Sequence, residues 1–173
     1  GARGAHKELC EFLDKLGGAY LDTGESKGLV PDSHPAVVAA MRGKVMGDAD
    51  VIVTVGRRLD FQLAYGSPSV FGSAKFVRIG DIPTEVRDNR RGDIEINANP
   101  AKTLEAINGL IGDRKSSADR EWIKALREKH EERAQRLSES MATAPSDAEG
   151  RIHPNRVLAE LQKHIGEDGV VVA

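Results

Sequence analysis

The chain has 173 residues, of which 39% are hydrophobic and 30% charged, the balance of a globular domain rather than of a disordered segment. A net charge of −2 and an aromatic content of 4% argue against nucleic-acid or membrane-surface binding. A single cysteine, Cys10, excludes an internal disulfide and a thiolate metal cluster. With neither a signal peptide nor an apolar run of about 20 residues in this sequence, we expect a cytoplasmic protein.

The first half of the chain alternates predicted helices and strands. Apolar residues at helical spacing predict a helix over residues 5–16: Leu9, Phe12, Leu13 and Leu16. A short strand is predicted at 19–23, a loop at 24–35 and a second helix at 35–46. Residues 50–55 form a nearly continuous β-branched run, which is typical of a strand buried on both faces of a parallel sheet.

The pattern continues to residue 112. We predict a short helix or turn at 59–66, a strand at 75–79, a polar turn at 83–89 and a weak strand at 93–96. Pro100 then opens a helix over 101–111. Strands that alternate with helices through short connections predict an α/β fold with a doubly wound, mostly parallel Rossmann-like sheet.

The chain changes character after Gly112, and we divide it into three parts. Residues 1–112 form the α/β domain, 113–149 a charged helix and linker, and 150–173 the start of a further domain with a helix at 154–165 and a strand at 170–173. The C-terminal part therefore predicts a helical extension. The glycine turn at Gly1 and Gly4 has no strand before it, so we expect the first strand of the sheet to lie upstream.

Three positions are candidates for ligand binding. Gly1 and Gly4 are a fragment of a G-x-G-x-x-G turn, which either exposes amides to a pyrophosphate or only permits a tight turn into the helix. Arg57 and Arg58 follow the strongest strand, where an arginine either clamps a phosphate, stacks on an adenine, or pairs with Asp60 or Asp81. Asp81 follows the next strand and either accepts hydrogen bonds from a ribose or caps the next turn.

Other reactive side chains point to no site. The five histidines are scattered, so we do not expect metal binding. No G-x-S-x-G nucleophile motif occurs, and Cys10 fits a small core residue better than a nucleophile. The residues alone therefore predict a nucleotide-binding-like domain without a visible catalytic set.

Five stretches in order resemble the central domain of thiamine-diphosphate enzymes, the superfamily of acetolactate synthases, 2-hydroxyacyl-CoA lyases and oxalyl-CoA decarboxylases. Residues 27–35 resemble a K-G-x-x-P-x-x-H-P loop, and 48–60 resemble an A-D-strand-G-x-R-x-D segment. Residues 78–86 resemble I-D-x-D-P-x-E-I, and Asn89-Arg90 with Asp93-Ile94 match the segment that follows it. Residues 150–154 resemble the start of the cofactor-binding third domain.

The resemblance implies a six-stranded parallel sheet that binds FAD or ADP in some members and only supports the assembly in others. It implies that a nucleotide groove is lined by these residues: Gly1, Ala2, Arg3, Lys27, Gly28, Arg58, Asp81 and Ile82. Thiamine diphosphate and Mg²⁺ bind in the flanking domains of such enzymes. None of the Gly-Asp pairs at 47, 80 and 92 continues as the G-D-G that binds magnesium and diphosphate, so the resemblance implies a non-catalytic fragment.

Two departures bear on the activity of the whole enzyme. Gln62 stands where biosynthetic acetolactate synthases carry an arginine, and the loop at 27–35 resembles the lyase and decarboxylase branches more closely. Ala98-Asn99 replaces a common Gly-Asp after the last strand, which weakens a contact to adenine. The resemblance implies a homo-oligomeric parent and partners in its own flanking domains. The alternatives are a stand-alone NAD or nucleotide module of deoxyhypusine-synthase-like or sirtuin-like fold, and an interaction domain that only joins subunits.

Overall fold

The computed structural model describes residues 4–114, 116, 120–166 and 169. The chain divides into two compact units, residues 1–128 and 129–173. The predicted positions Gly1, Ala2 and Arg3 and the predicted strand at 170–173 lie outside the described residues, and the predicted division at 112 and 149 stays a prediction.

The first unit contains the sheet and most of the helices. The strands are β1 (Val51–Val55), β2 (Lys75–Gly80) and β3 (Ile94–Asn97). The helices in chain order are α1 (His6–Leu16), α2 (Arg42–Asp48), α3 (Pro68–Phe71), α4 (Pro83–Val86), α5 (Pro100–Ile111), α6 (Arg120–Thr143) and α7 (Pro154–His164). Short 3-10 turns occupy Gly24–Ser26, Ala39–Met41 and Phe61–Gly66.

The described strands form one parallel sheet in the order β1-β2-β3. Val53 lies opposite Val77, and Ile79 lies opposite Ile96. The prediction of an α/β fold with a parallel sheet is confirmed at this level. Six strands are not seen among the described residues, since the predicted strand at 19–23 amounts to one parallel bridge between Tyr20 and Val37.

Helices cover both faces of this sheet. On one face, Val53 and Val55 pack with α1 and α5 in a core cluster that includes Leu9 and Leu104. On the other face, Ile52 packs with a second cluster of buried residues: Leu59, Phe71, Ala74 and Phe76. Successive β1 side chains thus point into opposite layers, as expected for a doubly wound sheet.

Local chemistry explains the two helices of the first layer. Leu9, Phe12 and Leu13 form the buried face of α1, which ends where Gly17 adopts a φ of +65° and donates its N–H to Leu13. Asn99 caps α5 by accepting the N–H of Lys102, and Pro100 occupies the first helical position. Both boundaries follow the sequence prediction closely.

The predicted helix at 35–46 begins later than expected. His34 Nδ1 accepts the N–H of Ala36 at 3.2 Å, and Val37 pairs with Tyr20 in the parallel bridge. These contacts hold residues 34–38 out of a helix, so helical structure starts only with the 3-10 turn at Ala39–Met41 and continues as α2.

The second unit contains the rest of α6 and helix α7. Val157, Leu158 and Leu161 of α7 share one apolar face and are each more than 40% exposed. No helix within the described part of the chain is long and apolar enough to cross a membrane.

Candidate functional site

A small crevice opens where β1 and β2 end, at the carboxyl edge of the sheet. Its enclosed volume is about 10 Å³, room for about one water molecule. It is lined by Thr54, Gly56, Arg57, Arg78, Ile79, Gly80, Asp81, Ile82, Glu85 and Val86. Ligands of open parallel sheets bind at this edge, because the loops that leave the strands diverge there. These residues form the candidate site.

Arg78 is the buried centre of the crevice. Its side chain is 1% exposed and forms an ion pair with Asp88 at 2.6 Å. The same guanidinium donates to three backbone carbonyls, those of Glu85 at 2.6 Å, Asp88 at 3.0 Å and Arg90 at 2.7 Å. This one side chain therefore ties β2 to the turn at residues 85–90 and sets the wall of the crevice.

Arg57 is the arginine that turns inward after β1. Its Nη2 donates to Asp60 Oδ1 and to Gln62 Oε1, both at 2.8 Å. Burial would raise the pKa of the Asp60 carboxyl, but the N–H of Gln62 and the guanidinium of Arg57 hold that pKa below its ordinary value. The loop after β1 is thus held by a charged, hydrogen-bonded network.

The crevice contains hydrogen-bonding atoms that have no partner among the described residues. They are Thr54 Oγ1, Arg57 Nε and Arg78 Nε, all of them buried. Thr54 is 7% exposed and lies directly opposite Arg78 across β1 and β2. Buried polar groups are normally satisfied, so these atoms fit a ligand oxygen or an ordered water.

The predicted site residues are distributed unevenly around this crevice. Asp81 and Ile82 are exposed and lie in its lining. Arg58 is not among the lining residues, because its half-exposed side chain points to Asp60, with Nε 3.4 Å from Oδ2. The pairing of an arginine with Asp60, considered above as an alternative to phosphate binding, therefore occurs at both Arg57 and Arg58.

Lys27 and Gly28, in the loop at 27–35, are not among the residues that line the crevice. Gly28 has a φ of +80°, a conformation that favours glycine. Farther along this loop, Arg127 Nη1 donates to the carbonyls of Asp32, His34 and Val37 at 2.9–3.3 Å. Whether Lys27 and Gly28 contact a nucleotide stays a prediction.

Thr54 and Arg78 are polar lining residues that the sequence interpretation did not name, and Arg57 was named only together with Arg58. A signal was present for Arg78, because a charged residue inside the apolar strand K-F-V-R-I-G is unusual unless its charge is paired. Arg57 was noted as part of a pair, but the motif match favoured its neighbour. No comparable signal marked Thr54, whose hydroxyl resembles any other β-branched strand residue in the sequence.

The described residues include no group of three or more His, Cys, Asp or Glu that could hold a metal ion. The G-D-G pattern that the resemblance assigns to magnesium and diphosphate binding is absent from the sequence. The crevice instead places the Asp81 carboxylate, a hydrogen-bond acceptor, in its lining and has buried polar atoms without a described partner inside.

Comparison with known proteins identifies the family. The family described as "Thiamine pyrophosphate enzyme, central domain" matches residues 1–107. The 2-hydroxyacyl-CoA lyase 2 of Caenorhabditis elegans is 25% identical, over 96% of this chain and 26% of the relative. The oxalyl-CoA decarboxylase of Escherichia coli K12 is 25% identical, over 80% of this chain and 25% of the relative.

An acetolactate synthase large subunit of Mycobacterium tuberculosis is 31% identical, over 97% of this chain and 29% of the relative. The chain thus spans about a quarter of the length of the curated relatives that it matches. The alternative of a stand-alone NAD module of sirtuin-like or deoxyhypusine-synthase-like fold is not favoured by these matches. The matched region includes the three-stranded sheet and its crevice, and the chain belongs to the family of thiamine pyrophosphate enzyme central domains.

Proposed function

We propose that the chain is the central, non-catalytic domain of a thiamine-diphosphate-dependent enzyme that makes or breaks a C–C bond next to a carbonyl. The observation that carries this proposal is the family match over residues 1–107. The names of the relatives support a substrate that is a 2-oxo acid or an acyl-CoA. Thiamine diphosphate and Mg²⁺ would be held by flanking domains, since this chain lacks the residues for them.

Among the activities of the relatives, we place the parent nearer the lyase and decarboxylase branch. Gln62 accepts a hydrogen bond from Arg57 Nη2 at 2.8 Å. An arginine in its place would remove this acceptor and bring a second positive charge beside Arg57. The loop conformation after β1 therefore depends on the residue that departs from the biosynthetic synthases.

The proposed role of the domain is structural, with FAD or ADP as the candidate ligand of the crevice. Asp81 would accept a hydrogen bond from a sugar hydroxyl, and Ile82 would contact the base or ribose by apolar surface. Thr54 and Arg78 would donate to an oxygen that reaches the interior. Arg58, Lys27 and Gly28 remain candidates for the outer contacts.

In the whole protein we expect a six-stranded sheet, assembly as a homo-oligomer and a cytoplasmic location. The core cluster that joins Tyr20 and Val37 to β1 supports a sheet wider than three strands. The flanking domains of the same polypeptide are the expected partners. Mass measurement of the whole protein by light scattering would reveal a dimer or tetramer, and a strict monomer would contradict the assembly.

Titration calorimetry tests the nucleotide proposal directly. FAD and ADP would be titrated separately into the purified chain, and saturable heat from either supports binding in the crevice. The matched variants are Asp81→Asn, which weakens the acceptor at the mouth, and Asp113→Asn, which changes an exposed carboxylate outside the crevice lining. The proposal predicts weaker binding only for Asp81→Asn, and the absence of heat from both nucleotides leaves the structural role alone.

A further inference from the structure

An open groove lies between the last turns of α1 and α5. Its volume is about 330 Å³, whereas the crevice described above has room for about one water molecule. Sites that bind small ligands typically measure about 300 to 1,000 Å³. Because α5 begins just after β3, at the carboxyl edge of the sheet, and is 12 residues long, its last turn lies about 18 Å toward the opposite edge. The groove is therefore separate from the crevice.

The floor of the groove is apolar. Ile107, Leu110 and Ile111 are spaced at i, i+3 and i+4, so they share one face of α5, and Leu16 adds to this surface from the end of α1. Leu16, Ile107 and Ile111 also pack against the core cluster under the two helices, while Leu110 is 77% exposed. An alkyl chain that displaces water from this floor is stabilised by the burial of apolar surface.

The backbone acceptors at the helix ends are already occupied. The last carbonyls of a helix lack partners within the helix and attract donors and cations. Here Ser116 Oγ donates to the carbonyl of Leu16. The carbonyl of Asn108 accepts from Lys15 Nζ at 2.8 Å and from the N–H of Gly112 at 3.1 Å. The chain's own donors thus satisfy these carbonyls.

The polar groups that remain at the rim are cationic donors. The Lys15 ammonium has three donors, of which one binds Asn108 and one pairs with Glu11 at 2.9 Å. Arg114 is exposed, and its guanidinium makes no hydrogen bond or ion pair with a described residue. Asp and Glu are absent from the described residues that line the groove. The rim therefore matches an anionic group above an apolar floor.

We propose that the groove binds a medium-chain alkyl carboxylate. Arg114 and Lys15 hold its carboxylate, and its chain lies over the apolar floor. A small ligand fits better than a protein partner, because a protein interface uses about 20 to 30 residues a side and seven described residues line the groove. The bound ligand joins the last turns of α1 and α5. This site goes beyond the proposed function and does not depend on it, since it needs neither a nucleotide nor thiamine diphosphate.

NMR titration of the isotope-labelled protein with sodium decanoate tests the groove. Saturable shifts are expected for the amides of Gly109, Leu110 and Gly112, and no shift is expected for Ile79 in the crevice lining. Octanoate, shorter by two CH₂ groups, is expected to bind about fourfold more weakly, because each CH₂ is about half buried in an open groove. Decyl maltoside has the same chain without the charge and is expected to bind roughly threefold to fivefold more weakly than decanoate.

Two pairs of variants separate the charge from the floor. Arg114→Gln is expected to weaken decanoate binding roughly threefold to fivefold and to leave decyl maltoside unchanged. Its control is Arg87→Gln, at an arginine that is 62% exposed and outside the groove lining, and this change should affect neither ligand. Leu110→Ser should weaken both ligands, whereas the control Leu137→Ser, at a leucine 56% exposed on α6, should weaken neither. All four side chains are exposed, so these variants are expected to fold.

Three results would overturn the inference. The first is decanoate that produces no saturable shift at the α5 amides. The second is equal weakening by Arg114→Gln and Arg87→Gln, which would indicate a general attraction of the protein for anions. The third is a shift of the same amides on dilution of the protein without decanoate, which would show that a second copy of the chain covers the groove.

Discussion

Replacing Arg78 with glutamine should destabilise the first unit more than any other single surface or crevice charge change. The substitution breaks a 2.6 Å ion pair with Asp88 and removes donors from the carbonyls of Glu85, Asp88 and Arg90. Removing one partner of a buried ion pair costs about 3 to 5 kcal/mol. The Asp88 side chain is 23% exposed, so water solvates part of the unpaired carboxylate in the variant. We therefore expect a loss of about 3 kcal/mol in the free energy of unfolding, at the lower end of that range.

Urea unfolding followed by tryptophan fluorescence measures this effect. Trp122, the only tryptophan of the sequence, packs against Val38 and Leu126 and so reports on the first unit. With a slope of about 2 kcal/mol per molar urea, the midpoint should fall by about 1.5 M. Arg87→Gln is the matched control, since Arg87 is 62% exposed and lies 3.6 Å from Glu95, so its change should stay below about 0.5 kcal/mol. A loss below about 1 kcal/mol for Arg78→Gln would refute the role of Arg78 as a structural centre.

Three further predictions concern single contacts. Thr54→Val removes a buried hydroxyl without a described partner and should raise the free energy of unfolding by up to about 1 kcal/mol. The control Thr103→Val loses a 2.9 Å hydrogen bond to the carbonyl of Asn99 and should lower that free energy by about 1 kcal/mol. Urea unfolding that changes the stability of both variants in the same direction would contradict this prediction. Gly92→Ala places a Cβ 2.7 Å from Arg78 Cγ and should lower the free energy of unfolding by about 1 to 3 kcal/mol. The control Gly109→Ala lies in open space on a helix and should raise that free energy by about 0.5 to 1 kcal/mol. Unchanged stability of Gly92→Ala in urea unfolding would contradict this prediction. A hydrogen bond from Arg91 lowers the pKa of Glu95 from 4.5 to about 2. The ionised Glu95 therefore stabilises the fold above pH 4.5, and this contribution is lost as the pH falls toward 2. Glu95→Gln should flatten the fall of stability with pH in this range, and an NMR titration midpoint of Glu95 near 4.5 would contradict the prediction.

Much of the layer architecture could be predicted because its signals are local. The apolar spacing in α1, the β-branched run of β1 and Pro100 at the start of α5 each depend on a few neighbouring residues. The segment around Val37 could not be predicted in the same way. Its conformation depends on a bridge to Tyr20 and on three hydrogen bonds from Arg127, about 90 residues away in the sequence.

The candidate site was only partly predictable for a related reason. The carboxyl edge of a parallel sheet follows from topology, so the place of Asp81 and Ile82 could be predicted once the strands were known. Which arginine turns inward could not, because Arg57 and Arg58 are adjacent and differ only in their contacts with Asp60 and Gln62. The burial of Arg78 depends equally on the fold of the turn at residues 85–90.

The proposed function places the thiamine diphosphate of the parent enzyme outside this chain, elsewhere in the same polypeptide. The most direct test is to titrate thiamine diphosphate with Mg²⁺ by calorimetry into the whole protein and into the 173-residue chain. We predict saturable binding to the whole protein and no heat from the chain alone. Saturable binding to the chain alone, or no binding to the whole protein, would contradict the claim.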